Sequence, residues 1–113
     1  MLDGIHHVAY VVSDMEDAIR IFRDVFELTL IDRRVLEGQS SVEIATFRCG
    51  STLIELMRPI SHPQLTQFLR EHGPGLHHVA FAMKDLSEGI GALRDKGVFA
   101  SNPFVAGTGW RIA

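Results

Sequence analysis

Four of the six histidines stand as adjacent pairs, His6-His7 and His77-His78, each inside a run of apolar and β-branched residues. Alternation along a strand sends the two rings of such a pair to opposite faces. His6 then lies with Val8, Tyr10 and Val12, whereas His7 lies with Ile5, Ala9 and Val11, and His78 with Leu76, Ala80 and Ala82. Bulky residues suit a face packed on a helix, and small alanines leave room for a ligand. His7 and His78 are therefore expected to point into a cavity; the competing reading is a hydrogen-bonded core histidine. Glu55 stands in Leu53-Ile54-Glu55-Leu56-Met57, where an ionised carboxylate needs a cation or several donors. Two imidazoles and a carboxylate suit one divalent metal ion, with Co, Mn, Ni, Zn and Fe all compatible. The competing reading for Glu55 is a solvent-facing edge residue or a partner of Arg58. Glu43, in Val42-Glu43-Ile44, lies one strand earlier, either reaching the same cavity as a general base or facing solvent.

The elements that must position these residues occur twice. Gly4-Ile5-His6-His7-Val8-Ala9-Tyr10 reappears as Gly75-Leu76-His77-His78-Val79-Ala80-Phe81, and Asp14, Ile19, Arg23 and Asp24 recur at the same spacing as Asp85, Ile90, Arg94 and Asp95. Two copies of one supersecondary unit follow. In the first copy a strand over about residues 5 to 12 leads to a helix with a Ser13/Glu16 capping box and an apolar stripe at Met15, Ala18, Ile19, Phe22 and Phe26. Three strands are expected next, at about 28 to 36, 42 to 49 and 52 to 58, completing a βαβββ unit. A connecting helix in about 61 to 74 starts near Pro63 and stops at Gly73-Pro74-Gly75. The second copy runs from about 75 to 113, with a strand over 76 to 83, a helix capped by Asp85 and ended by Gly97, a short strand near 98 to 100, and another beginning at Trp110-Arg111-Ile112-Ala113. It contains no counterpart of Thr52 to Arg58, so an incomplete second unit and an open sheet edge are expected, and with them a homodimer.

At 113 residues the chain suits one α+β domain, a curved mixed sheet of two tandem βαβββ units around a metal cavity. Charged residues of both signs are interspersed at a net charge of −3, which offers no footprint for nucleic acid or anionic lipid. No apolar run has membrane-spanning length. The single cysteine, Cys49, cannot pair within the chain and is expected to be a buried small hydrophobe; with no signal-like amino terminus, a cytoplasmic location is expected. The glycines of Gly107-Thr108-Gly109 precede a strand rather than a helix, so dinucleotide and phosphate-loop patterns do not apply.

Duplicated βαβββ units, with a strand histidine in each and a glutamate on the first unit's last strand, resemble the vicinal oxygen chelate superfamily, which includes glyoxalases, resistance proteins and ring-cleaving dioxygenases. Within it, His6-His7-Val8-Ala9-Tyr10, Ser41-Val42-Glu43-Ile44, Ile54-Glu55-Leu56-Met57-Arg58-Pro59 and Gly75-Leu76-His77-His78-Val79-Ala80 are similar to the methylmalonyl-CoA epimerases. The resemblance spans essentially the whole chain. It implies that His7, Glu55 and His78 are three of four metal ligands and that Glu43 is one of two acid/base carboxylates. The fourth ligand, a glutamate that is also the second base, has no counterpart among these residues. The implied activity is that of a metal-dependent isomerase acting on a small acyl-CoA or carboxylate by enolate stabilisation. A glyoxalase I-type lyase and a non-catalytic, resistance-type small-molecule binder share the same fold and stand as alternatives.

Overall fold

The computed structural model describes residues 1–113. The chain divides into two compact units, one of Ile5–Ala80 and one of Met1–Gly4 with Phe81–Ala113. Strands β1 (Leu2–Val11), β2 (Thr29–Leu36), β3 (Val42–Cys49), β4 (Thr52–Pro59) and β5 (Gly75–Met83) form one five-stranded sheet in the order β2-β3-β4-β1-β5. The β2-β3-β4 run is antiparallel and β1 is parallel to β4, giving the expected α+β fold with a mixed, curved sheet.

In the unit Ile5–Ala80 the two faces of the sheet carry different cores. Met15, Ala18 and Ile19 of helix α1 (Met15–Arg20) pack on Ala45, Phe47 and Leu56. On the other face Ala9, Val11, Val42, Ile44 and Met57 lie under Leu65, Phe68 and Leu69 of helix α2 (Pro63–His72). Phe47 and Leu56 are fully buried, each worth about 1.5–3 kcal/mol of transfer free energy. The expected Ser13/Glu16 box is displaced by one residue. Asp14 is the extended residue at the helix start, and its carboxylate accepts from the Asp17 amide at 3.0 Å. The helix continues as a π-helical turn, Ile21–Val25, which leaves Phe26 outside the core at 57% exposure, contrary to its place in the apolar stripe. Cys49 is likewise exposed, not buried, because it ends β3 beside the Gly50-Ser51 turn.

In the other unit Asp85 caps helix α3 (Leu86–Asp95) by accepting from the Glu88 amide at 2.9 Å, as expected. A Cβ at Gly89 would meet the Met83 sulfur, so the helix lies close against that side chain and a larger residue would need Met83 to move. The strand expected near residues 98 to 100 does not form. The Arg94 guanidinium instead donates to the Ala100 carbonyl at 2.7 Å, and the Val98 amide donates to the Leu93 carbonyl, which ties this segment to the helix end. Beyond it β6 (Phe104–Val105) pairs with β7 (Arg111–Ile112).

Candidate metal centre

All four residues singled out from the sequence lie in the unit Ile5–Ala80. His7 comes from β1, Glu55 from β4 and His78 from β5, and ligand atoms of the three lie within 4.8 Å of one another. The register explains the convergence. β1 and β4 run parallel with Ala9 beside Glu55, and β5 follows β1 in the sheet, so each side chain projects from a neighbouring strand. His7 and Glu55 are both 4% exposed, whereas His78 is open to solvent.

The two imidazoles meet through Nε2 atoms 3.2 Å apart, their planes at 82°. Burial, with the neighbouring His78 and His6 rings, pushes the His7 pKa down to about 4; partial desolvation of the half-covered ring and the His77 ring also lower that of the more exposed His78. Both rings thereby favour the neutral form, the one able to ligate a metal. Burial drives the Glu55 carboxyl up to about 7, against the opposing field of Arg34. Glu55 Oε2 is buried without any hydrogen-bond partner, and such an atom costs about 1–3 kcal/mol or more. Arg58 does not supply one, because it bonds elsewhere.

The donor set fits a divalent ion on three counts. Its carboxylate oxygen lacks a partner, its imidazoles are kept neutral, and their nitrogens are suitably spaced. Two imidazole nitrogens each about 2.0–2.1 Å from one tetrahedral ion lie about 3.3 Å apart, close to the 3.2 Å between His7 and His78.

Glu43 is not brought to this site. It stands opposite Arg58 across the β3–β4 ladder, while Glu55 stands opposite Thr46. Residues 43 and 46 fall on opposite faces of a strand, so Glu43 projects to the side that carries α1. There Oε1 accepts from Arg58 Nε at 3.0 Å and Oε2 from Arg33 Nε at 3.1 Å, and Arg33 also holds Glu16 of α1. The expected approach of Glu43 to the histidine-lined cavity is corrected accordingly. A tight turn at Gly50-Ser51, with Gly50 in the left-handed region at φ 61, sets that register. Counting back from the turn along the two strands would have separated the glutamates.

Four residues of this neighbourhood escaped the sequence reading. β2 shifts register between Leu30 and Asp32, which puts Asp32 opposite Thr46 and Arg34 opposite Ile44, on Glu55's face; the two pair at 3.0 Å. The shift has no reliable sequence signature. His6 and His77 reach His7 and His78 themselves, with Nδ1–Nδ1 distances of 2.9 Å from His6 to His7 and 2.8 Å from His77 to His78. Strict alternation had set these two rings apart.

A mixed sheet whose adjacent strands from the two sequence repeats converge a His/Glu/His set is the architecture of the vicinal oxygen chelate fold. The family profile described as the Glyoxalase/Bleomycin resistance protein/Dioxygenase superfamily matches residues 6–113, and the chain belongs to that superfamily. It is 33% identical over 98 residues to the Bacillus subtilis protein YqjC, covering 86% of this chain and 69% of that one. It is 30% identical over 97 residues to the mitochondrial methylmalonyl-CoA epimerase of Mus musculus, covering 84% of this chain and 54% of the mouse protein, about half its length. The fold matches the crystal structure of methylmalonyl-CoA epimerase from Mycobacterium tuberculosis with a TM-score of 0.84, 24% identity, and coverage of 97% of this chain and 76% of that one.

Proposed function

We propose that the protein is a metal-dependent isomerase of the methylmalonyl-CoA epimerase kind, one that labilises the hydrogen beside a carbonyl of a small acyl-CoA or carboxylate. The observation that carries this reading is the partnerless, buried Oε2 of Glu55 among ligand atoms of His7 and His78. His7, Glu55 and His78 would hold the ion, whose chemistry is to polarise the substrate carbonyl and so acidify the neighbouring C–H. Neutral imidazoles and an anionic carboxylate leave a divalent ion one net positive charge with which to do this. The donor set accepts Co, Mn, Ni, Zn or Fe alike. Ala9 and Thr46 flank Glu55 in register and keep the surrounding surface small, and Ile44 and Met57 limit water on the same face. Asp32 is the second carboxylate on that face, paired with Arg34 at 3.0 Å, and we assign it the proton that leaves carbon and is returned to it. The similarity to the mouse epimerase supports the choice of substrate class.

β5 lies at one end of the sheet with Leu76 and Val79 exposed, and a second copy of the chain is proposed to cover it as a homodimer. No helix is long and apolar enough to cross a membrane; cytoplasmic residence is part of the proposal and is checked by fractionation.

The test is hydrogen exchange at the α-carbon of a methylmalonyl thioester in deuterated solvent, followed by NMR with and without added divalent metal. Metal-dependent deuterium incorporation is expected. Metal retention with no exchange on the thioester, but turnover of a hemithioacetal, would replace the reading by a glyoxalase-type lyase. Neither metal retention nor exchange, with an apolar small molecule bound, would replace it by a resistance-type binding module.

A further inference from the structure

His6, His7, His78 and His77 form an unbroken line of imidazoles, joined Nδ1 to Nδ1 at 2.9 Å, Nε2 to Nε2 at 3.2 Å and Nδ1 to Nδ1 at 2.8 Å. Successive rings stand nearly edge to face, at 82°, 82° and 78°. The outer two contacts are the same contact, made once in each sequence repeat. We infer that His6 and His77 are positioning residues that hold His7 and His78 in the tautomer whose Nε2 carries the lone pair a metal would take.

The argument is one of proton placement. A neutral imidazole carries its single N–H on one nitrogen, and the other nitrogen is the ligand. If His6 Nδ1 accepts, the His7 proton must sit on Nδ1 and Nε2 is left with a lone pair facing His78. If His6 donated instead, the His7 proton would move to Nε2 and block the atom that points into the site. The same holds for His77 and His78. An acceptor at both outer positions thus gives two Nε2 lone pairs on converging rings, a repulsive pair without a cation and a chelating pair with one. His77 is itself held by an edge contact to Phe68 of α2, ring centroids 5.0 Å apart, so this helix also sets the angle of the outer ring. Outer partners of ligand histidines commonly act in this way, and losing one typically weakens metal affinity about 10- to 100-fold.

This inference rests on the proposed metal site, and its test separates the two. Zn²⁺ affinity is measured by chelator competition for the wild-type chain and for His6→Phe and His77→Phe, which keep an aromatic ring but remove the acceptor. A 10- to 100-fold loss in each Phe variant is expected, with metal-free thermal unfolding little changed. His6→Asn and His77→Asn, whose side-chain carbonyl can stand in for the Nδ1 acceptor, should recover most of the affinity. In parallel, ¹⁵N NMR of the zinc-loaded wild-type protein should place the proton on Nδ1 and the metal on Nε2 of both His7 and His78, a readout that requires no variant. Zinc on Nδ1, or wild-type affinity in both Phe variants, overturns the positioning role while leaving the metal site standing. A wild-type chain that binds no zinc overturns the metal site and this inference together.

Discussion

Glu43 and Arg58 face each other across the β3–β4 ladder with Oε1 and Nε 3.0 Å apart, on the opposite side of the sheet from Glu55. Arg33 closes on the second oxygen, and its other contact reaches α1 through Glu16. The carboxylate thus links three strands and a helix. Charge-assisted bonds to a largely buried group are worth more than exposed pairs.

Glu43→Gln should therefore destabilise the protein by about 1–2 kcal/mol, read from denaturant midpoints, while α-hydrogen exchange stays within about tenfold of wild type. Exchange abolished with stability unchanged would return Glu43 to the role of base that its sequence context suggested.

The same residue sets an acid limit. Partial burial works to raise the Glu43 pKa, but the hydrogen bonds from Arg58 and Arg33 and their charges outweigh it, holding the carboxyl below its ordinary 4.5. A group whose folded pKa is depressed contributes stability that is fully present above the unfolded value and is lost as pH falls through the folded one. Between pH 7 and 4.5 its contribution should be flat, and below 4.5 it should decline. Urea titrations at stepped pH should show the wild-type advantage over Glu43→Gln shrinking only in that acid range.

His78→Ala should lose most of the metal retained by the wild-type protein, since only His7 and Glu55 would remain as donors. Elemental analysis after purification reads this directly. Wild-type protein should also gain thermal stability on adding metal, by about 2.7 kcal/mol at 100 times the dissociation constant, and the variant should not. Equal metal content in the two proteins would dismiss the site.

Stripped of metal, Glu55 becomes a liability, as burial and the absence of a partner for Oε2 disfavour its charge. Glu55→Gln should make the chelated protein more stable by about 1–3 kcal/mol at pH 8, because an isosteric amide buries no charge. It should also weaken metal binding. Stability gained in the absence of metal and lost in its presence is the pattern of a functional carboxylate; a loss in both conditions would mark Glu55 as a packing residue.

Dimer formation is checked by sedimentation at micromolar concentration, with Val79→Asp placed on the exposed face of β5. Wild type should sediment as a dimer and the variant as a monomer; a wild-type monomer would dismiss the proposed pairing.

Local periodicity made much of this site visible in the chain. The repeated His-His pairs, the alternation that puts His7 with Ala9 and His78 with Ala80, and the lone acid in the apolar run at Glu55 are properties of single strands, whose period of two is independent of what they pair with. Helix limits at Asp85, Pro63 and Gly97 were equally readable, because caps act within one turn. Tertiary structure alone decided which strands lie side by side, and therefore that His7, Glu55 and His78 converge. The parting of the two glutamates, by contrast, was within reach of the sequence through the Gly50-Ser51 turn, since a register offset of odd parity reverses the face of a side chain. The shift in β2 that turns Asp32 and Arg34 toward Glu55's face, and the bonds from His6 and His77 to the rings of His7 and His78, depend on ring rotation and a local bulge that no sequence period encodes. The residues for chemistry are written in the strands one at a time; their roles come from pairing between residues far apart in the chain, which is a property of the sheet.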